Sequence, residues 1–124
     1  MRVTRAIVYQ TRKYLLLEPE HSLIALRKDI ARTGWGRALL DARSSSGHWS
    51  RGFYQVKWVC SHYALADLRN LEIEPTPEIM ETLQLIIDTC RALDGSITES
   101  RAKTPGDLCV NGMFLDYASY FGVQ

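Results

Sequence analysis

The sequence predicts an all-α fold made of repeated helical hairpins, on two observations. A motif occurs twice at a separation of 48 residues, as Arg43-x-x-x-Gly47-x-Trp49 and as Arg91-x-x-x-Gly95-x-Ile97. Each copy follows one apolar stretch and precedes another that opens near a cysteine, and no pair of segments alternates as paired strands do. A period of this length is typical of helical repeat proteins, whose units bury their apolar faces against neighbouring units. The 124 residues then form a single domain of about two and a half repeats, approximately 1–47, 48–95 and 96–124.

The first repeat is predicted to hold three helices. Residues 3–17 place apolar side chains near one side of a helix, and Pro19 ends it, because the residue before a proline is pushed out of the helical region. Ser22 is positioned to cap a second helix, and Gly34 supplies the left-handed residue that stops it. A short third helix runs from about residue 36 to residue 43. The inward-facing side chains of the first two helices are Val3, Ile7, Tyr14, Leu17, Leu23, Leu26 and Ile30.

The first repeat ends with a turn at residues 44–47. The second repeat opens with a loop at 49–57, followed by a return to helical spacing. That spacing is carried by Trp58, His62, Leu65 and Leu68. In the next helix Thr76 is the predicted N-cap and Pro77 the first helical residue. Gly95 ends the helix, a polar loop covers 96–106, and a last helix is expected from about residue 108 to residue 120. The apolar stripe of the helix after Thr76 consists of Ile79, Leu83, Ile86, Ile87, Cys90 and Leu93.

Composition and length are those of an ordinary soluble protein. Uninterrupted aliphatic and aromatic runs, such as residues 14–17, reach only four residues, and the N-terminus lacks the pattern of a secretory signal. We therefore expect a cytoplasmic protein without a transmembrane segment. The three cysteines, Cys60, Cys90 and Cys109, have no C-x-x-C spacing, which predicts reduced and mostly buried thiols.

Charge is unevenly distributed along the chain. Residues 1–57 hold 11 Lys/Arg and 4 Asp/Glu, a balance of +7, whereas residues 58–124 hold 4 and 10, a balance of −6. The simpler interpretation is that basic faces of one repeat lie beside acidic faces of the next. The alternative is an anionic partner, such as a diphosphate or a lipid surface, near Arg2, Arg5, Arg12 and Lys13. We expect no nucleic-acid partner, because no binding motif accompanies the charge.

The repeated motif resembles the glutamine-tryptophan motif of the terpenoid cyclases and related prenyltransferases, whose helical hairpins close into an α/α toroid. Arg43 and Arg91 stand where that motif has Gln, and Ile97 replaces the second Trp. The resemblance covers roughly residues 30–121 and implies an incomplete α/α toroid, since two hairpins and the start of a third are too few to close the ring. The segments that look like bacterial squalene-cyclase-like or prenyltransferase-like proteins are Gly34-Trp35-Gly36, Gly47-His-Trp49, Phe53-Tyr54-Gln55-Val56-Lys57-Trp58, His62-Tyr63 and Cys109-Val-Asn111-Gly112-Met113.

The resemblance implies a fold more than an activity. In that superfamily the motif residues clamp the ends of outer helices, and burial of a large aromatic side chain, worth about 1.5–3 kcal/mol, is a sufficient reason for Trp35, Trp49 and Trp58. Neither the Asp-x-Asp-Asp acid of the cyclases nor the magnesium-binding Asp-Asp-x-x-Asp of the diphosphate-ionising enzymes occurs here. We therefore expect the chain alone not to be catalytic, and its residues identify no catalytic group.

Asp107-Leu-Cys109 matches the Asp-x-Cys pair that binds zinc in the β subunits of the protein prenyltransferases. In that family a histidine ligand follows the pair, whereas His21, His48 and His62 all precede it here. Asp107 as the N-cap of the last helix and Cys109 as a small buried side chain are favoured over a zinc site. No cofactor is expected, and zinc at this pair is the alternative.

The same resemblance places four side chains on the inner wall of the ring, where a substrate would lie: Trp58, His62, Tyr63 and Asn111. A lone histidine on an apolar face is more often a core residue than a catalyst, and that is the simpler interpretation of His62. Asn111 needs hydrogen-bond partners if it is buried. Gly112 within a helix costs about 1 kcal/mol relative to alanine, which indicates a close helix approach or a cavity wall.

Two functional hypotheses follow. The first is a partial prenyltransferase-like or squalene-cyclase-like toroid that binds an isoprenoid or another apolar small molecule. The alternative is a noncatalytic helical interaction module that completes its core with a partner chain or by self-association. The exposed repeat ends and the charge asymmetry support the second hypothesis.

Overall fold

The computed structural model describes residues 4–99 and 105–123, and over these residues the protein is all-α. A short π-helical segment, Thr11–Leu15, continues the first helix, and a 3₁₀ turn, Glu20–Ser22, precedes the second. No strand occurs within these two ranges, where the bridges Arg43 to Trp49 and Arg91 to Ile97 are the only β-type pairings. The α-helices are α1 (Arg5–Gln10), α2 (Ile24–Ile30), α3 (Gly34–Asp41), α4 (Ser61–Asn70), α5 (Pro77–Cys90) and α6 (Leu108–Tyr120).

The N-terminal segment differs most from the predicted helix over 3–17. Ala6 and Tyr9 face the core, whereas Ile7, Tyr14 and Leu17 are more than half exposed, so the predicted inward side is wrong. Helix α1 packs mainly on α2 and buries only one narrow stripe. Val3 lies outside the described residues.

The predicted cap of the second helix is also wrong. The Ser22 hydroxyl donates to the carbonyl oxygen of Pro19 at 2.8 Å, and α2 has no side-chain N-cap. Gly34 adopts the predicted left-handed conformation, with φ of +59°. The chain therefore turns sharply between α2 and α3, and the carbonyl group of Ile30 lies against buried Gly36.

The predicted starts of α5 and α6 are confirmed, whereas α5 ends at Cys90 and not, as predicted, at Gly95. The Thr76 hydroxyl accepts a hydrogen bond from the Ile79 amide at 3.4 Å, with Pro77 as the first helical residue. The Asp107 carboxylate accepts one from the Cys109 amide at 3.0 Å and caps α6. Leu93, predicted to extend the stripe of α5, follows the helix and is 97% exposed, so that prediction is wrong.

The core draws on all six helices, and α4 and α5 each contribute four completely inaccessible side chains. Leu65 and Leu68 are completely inaccessible, as are Ile79, Leu83 and Ile86 of α5. Helix α4 begins at Ser61, so Trp58 is not on it, contrary to the predicted spacing. Trp58 instead has a left-handed backbone, with φ of +75°, and is 69% exposed. None of the helices in the described ranges is long and apolar enough to cross a membrane.

Both copies of the repeated motif form the same turn. The amide of Ser44 donates to the His48 carbonyl at 2.9 Å, and the amide of Ala92, 48 residues later, donates to the Ser96 carbonyl at 2.8 Å. Gly47 and Gly95 have φ of +85° and +87°, a region that glycine reaches without a Cβ penalty. We call these the first turn, residues 43–49, and the second turn, residues 91–97.

Candidate functional site

The first turn is covered by α5. The Arg43 guanidinium donates to the Thr82 hydroxyl at 2.9 Å and to the Glu81 carboxylate at 3.1 Å. The Thr82 side chain, which is fully buried, lies 2.6 Å from the Gly47 carbonyl oxygen and donates to it. The methyl group of Leu85 covers the Cα of Gly47. The motif arginine therefore joins the first turn to α5.

Where α5 covers the first turn, the second turn borders an open groove. The groove has a volume of about 450 Å³. Arg91 lies at its rim, and the side chain of Arg91 makes no hydrogen bond or ion pair with another described residue. Most of its lining is apolar, and Leu115 is 67% exposed. We call this the C-terminal groove, and its lining residues are Ile87, Arg91, Gly95, Ile97, Asn111, Phe114, Leu115, Ala118 and Val123.

Asn111 lies at the edge of the C-terminal groove, but its amide group is occupied by the backbone. Its oxygen accepts from the Ile97 amide at 2.7 Å, and its nitrogen donates to the carbonyls of Ile97 and Asp107 at 3.0 and 2.9 Å. In the first turn the Ser61 hydroxyl accepts from the Trp49 amide at 3.0 Å in the same way. Asn111 therefore anchors the second turn to α6.

His62 lies in the core within a cluster of aromatic rings. Its side chain is completely inaccessible, and its Nδ1 lies 3.0 Å from the Tyr117 hydroxyl. Nε2 has no hydrogen-bond partner among the described residues. Because no solvent reaches the ring, the geometry supports the core interpretation of His62. The rings around it, with centroids 5.1 to 5.7 Å away, are those of Phe53, Tyr54, Tyr63 and Tyr117.

Trp58 and Tyr63 extend this cluster to the surface. Their ring centroids are 4.8 Å apart, and the ammonium group of Lys57 lies 5.0 Å from the indole. The hydroxyls of Tyr54 and Tyr63 are 3.1 Å apart, and this hydrogen bond raises the pKa of Tyr63 to about 12. The structure thus brings together three of the four predicted cavity residues and places Asn111 at the separate groove.

We expect the protein to lose stability in mild acid through His62, because burial lowers the pKa of this side chain in the folded state. The unfolded chain, with a histidine pKa near 6.5, then binds the proton more tightly. The contribution of His62 to the free energy of unfolding is therefore greatest above about pH 6.5. As the pH drops towards the folded-state pKa of His62, the free energy of unfolding falls by at most about 1.4 kcal/mol per pH unit.

Urea unfolding of the wild type and of His62→Gln at pH 7.5 and 5.5 tests this expectation, and the variant should show a smaller decline. His21→Gln is the matched control, since it removes an exposed histidine in place of the buried one. An equal decline in His62→Gln and the wild type would contradict the assignment.

Asp107 and Cys109 lie close together, but the hydrogen bond between them caps the N-terminal end of α6. The carboxylate of Asp107 caps the helix and raises the pKa of the Cys109 thiol, chiefly through a hydrogen bond to it, which disfavours the thiolate that binds metal. Cys109 is exposed, so its predicted burial is wrong, whereas Cys60 and Cys90 are buried. In the described part of the chain no three His, Cys, Asp or Glu side chains lie close enough to hold a metal ion.

The basic residues near the N-terminus are largely paired. Arg12 contacts Glu18 at 2.6 Å, Lys13 contacts Glu72 at 2.8 Å, and Arg5 lies 4.0 Å from Asp29. The pairs Lys13 to Glu72 and Arg43 to Glu81 join the basic half of the chain to the acidic half. This pairing favours the simpler interpretation of the charge asymmetry over an anionic partner. Arg2 lies outside the described residues.

Sequence reasoning missed the C-terminal groove and the role of Arg91 at its rim. A signal was present, because the second copy of the motif repeats the arginine and the glycine of the first, as Arg91 and Gly95. Comparison with protein-family models, with curated proteins and with solved structures gives no significant match to this chain. The function is therefore argued from the geometry above.

Proposed function

We propose that this chain is a noncatalytic helical interaction module, an open piece of an α/α toroid whose C-terminal groove binds a helix from another chain. The proposal depends on one observation, which is that a helix covers the first turn but not the corresponding face of the second. The first turn is covered by α5, whereas the second borders a groove of about 450 Å³.

The chemistry of the C-terminal groove suits a helix with one apolar face. Ile87, Ile97 and Phe114 line its floor, and exposed Leu115 stands on α6 beside it. Exposed apolar surface of this kind marks interaction sites, and amphipathic helices bind grooves through apolar side chains spaced three and four residues apart. An incoming helix would complete the core at this end as α5 does at the first turn.

Nuclear magnetic resonance of the ¹⁵N-labelled chain, titrated with a helical peptide that carries one leucine stripe, tests the proposal. We expect shift changes at Ile87, Ile97 and Leu115, and their loss in Leu115→Arg, because an arginine there occupies the docking surface. Leu93→Arg is the matched control, since Leu93 is exposed and does not line the groove. Absent shifts, or shifts that persist in Leu115→Arg, would refute the proposal.

The second candidate function is binding of an isoprenoid or another apolar small molecule. It is favoured by the exposed Trp58, stacked on Tyr63 with a left-handed backbone, since residues held in sparsely populated conformations cluster at ligand sites. In the same resonance experiment, farnesyl diphosphate would then shift the Trp58 indole and leave the C-terminal groove unchanged. A lack of response at Trp58 to micromolar ligand would remove this candidate.

A further inference from the structure

We infer that the helix bound in the C-terminal groove carries adjacent carboxylate and hydroxyl side chains that pair with Arg91, as Glu81 and Thr82 pair with Arg43. This inference rests on the proposed function and adds the chemistry of the partner. The chain supplies its own example of the complex, because α5 occupies the first turn in this way.

The first step is the equivalence of the two turns. Both close through an arginine paired with a residue six positions later, and both have glycine at the left-handed position. The amide of Gly47 donates to the Ser44 carbonyl at 3.1 Å, and that of Gly95 to the Ala92 carbonyl at 3.0 Å. Each turn therefore presents its arginine and glycine from the same backbone framework.

The two turns differ in the space above their glycines, Gly47 and Gly95. A Cβ built on Gly47 would lie 3.0 Å from a methyl group of Leu85, so α5 approaches the first turn closely. Among the described residues, a Cβ built on Gly95 would have only the guanidinium of Arg91 within 4 Å, at 3.9 Å. The position that Leu85 fills at the first turn is therefore open at the second.

The charge of Arg91 determines which side chains a docked partner must carry. A guanidinium that becomes covered on docking needs a carboxylate or hydroxyl partner, because an unpaired charge removed from water is costly. Arg43 meets this need, with only 15% of its side chain exposed, through Glu81 and Thr82. The best-matched occupant is an amphipathic helix with the pattern Glu-Thr-x-x-Leu, as at residues 81–85 of α5.

A fluorescent peptide of residues 76–90, with Cys90→Ser, is the probe, and its affinity for the full chain is measured by fluorescence anisotropy. We expect the peptide to bind, and expect Arg91→Ala in the protein, or Glu81→Gln with Thr82→Val in the peptide, to weaken binding by about tenfold or more. Arg51→Ala is the matched control, since Arg51 is exposed and lies outside the groove. The folding cost of the isolated peptide is similar in each comparison.

The outcomes separate this inference from the proposed function. Binding that depends on Arg91 and on the Glu81 and Thr82 side chains supports both. Equal binding of both peptides, lost in Leu115→Arg but insensitive to Arg91→Ala, overturns the inference and leaves the groove a helix-binding site. No binding of this peptide or of the leucine-stripe peptide overturns both.

Discussion

Replacing Trp49 with alanine should lower the free energy of unfolding by about 3–5 kcal/mol, the cost of truncating a large aromatic side chain in a core. Trp49 is 2% exposed, and its indole donates to the Leu39 carbonyl at 2.6 Å, so the substitution also removes this hydrogen bond and leaves that carbonyl only the longer one from the Ala42 amide, at 3.2 Å. Urea unfolding followed by circular dichroism measures the change.

Trp58→Ala is the matched control for Trp49→Ala. Trp58 is 69% exposed and stacks mainly on Tyr63, so its loss should cost less than about 1 kcal/mol. Similar losses in the two variants would contradict the structural role assigned to Trp49. A larger loss at Trp58 would mean that the loop before α4 is held by that side chain.

Gly36→Ala should destabilise the protein by about 3 kcal/mol or more, at the upper end of the range for overpacked cores. A Cβ at this position would lie 2.0 Å from the Ile30 carbonyl oxygen, so α3 and the end of α2 would have to separate. The contact is with backbone, and no side-chain rotation relieves it. Thermal unfolding of the variant measures the loss.

Gly112→Ala is the opposite case and serves as its control. Gly112 is within α6, and an added Cβ would contact none of the described residues within 4 Å, so of the two predicted reasons for this glycine, a close helix approach or a cavity wall, the close approach is wrong. Alanine here should stabilise the protein by about 0.5–1 kcal/mol, because glycine is the poorer helix former. Destabilisation by Gly112→Ala would show that this face of α6 is occupied.

The best-predicted elements were those with strong local signals. Thr76 with Pro77, and Asp107 before an apolar run, place the starts of α5 and α6, because capping depends on neighbouring residues. The N-terminal segment was predicted poorly. Residues 14–17 are all apolar, so their periodicity does not indicate which face is buried. All four side chains are more than half exposed in the structure.

The candidate site was predicted in part. The proximity of Trp58, His62 and Tyr63 follows from their closeness in sequence, but the burial of His62 depends on Tyr117, which is 55 residues away. The spacing of Trp58 and His62 fits a helix, yet Trp58 itself is left-handed and Cys60, between the two, is extended. Such tertiary contacts override a local pattern.

The pairing of Arg43 with α5 also bears on how such a chain could lengthen. The junction uses a turn that the chain already repeats, so inserting one more 48-residue unit after the second turn would create no interface of a new kind. In architectures where each unit contacts only its neighbours, every added unit contributes its own stability plus one more junction. Growth by whole units would therefore preserve the fold, and the arginine at an open groove would always be the one in the last unit.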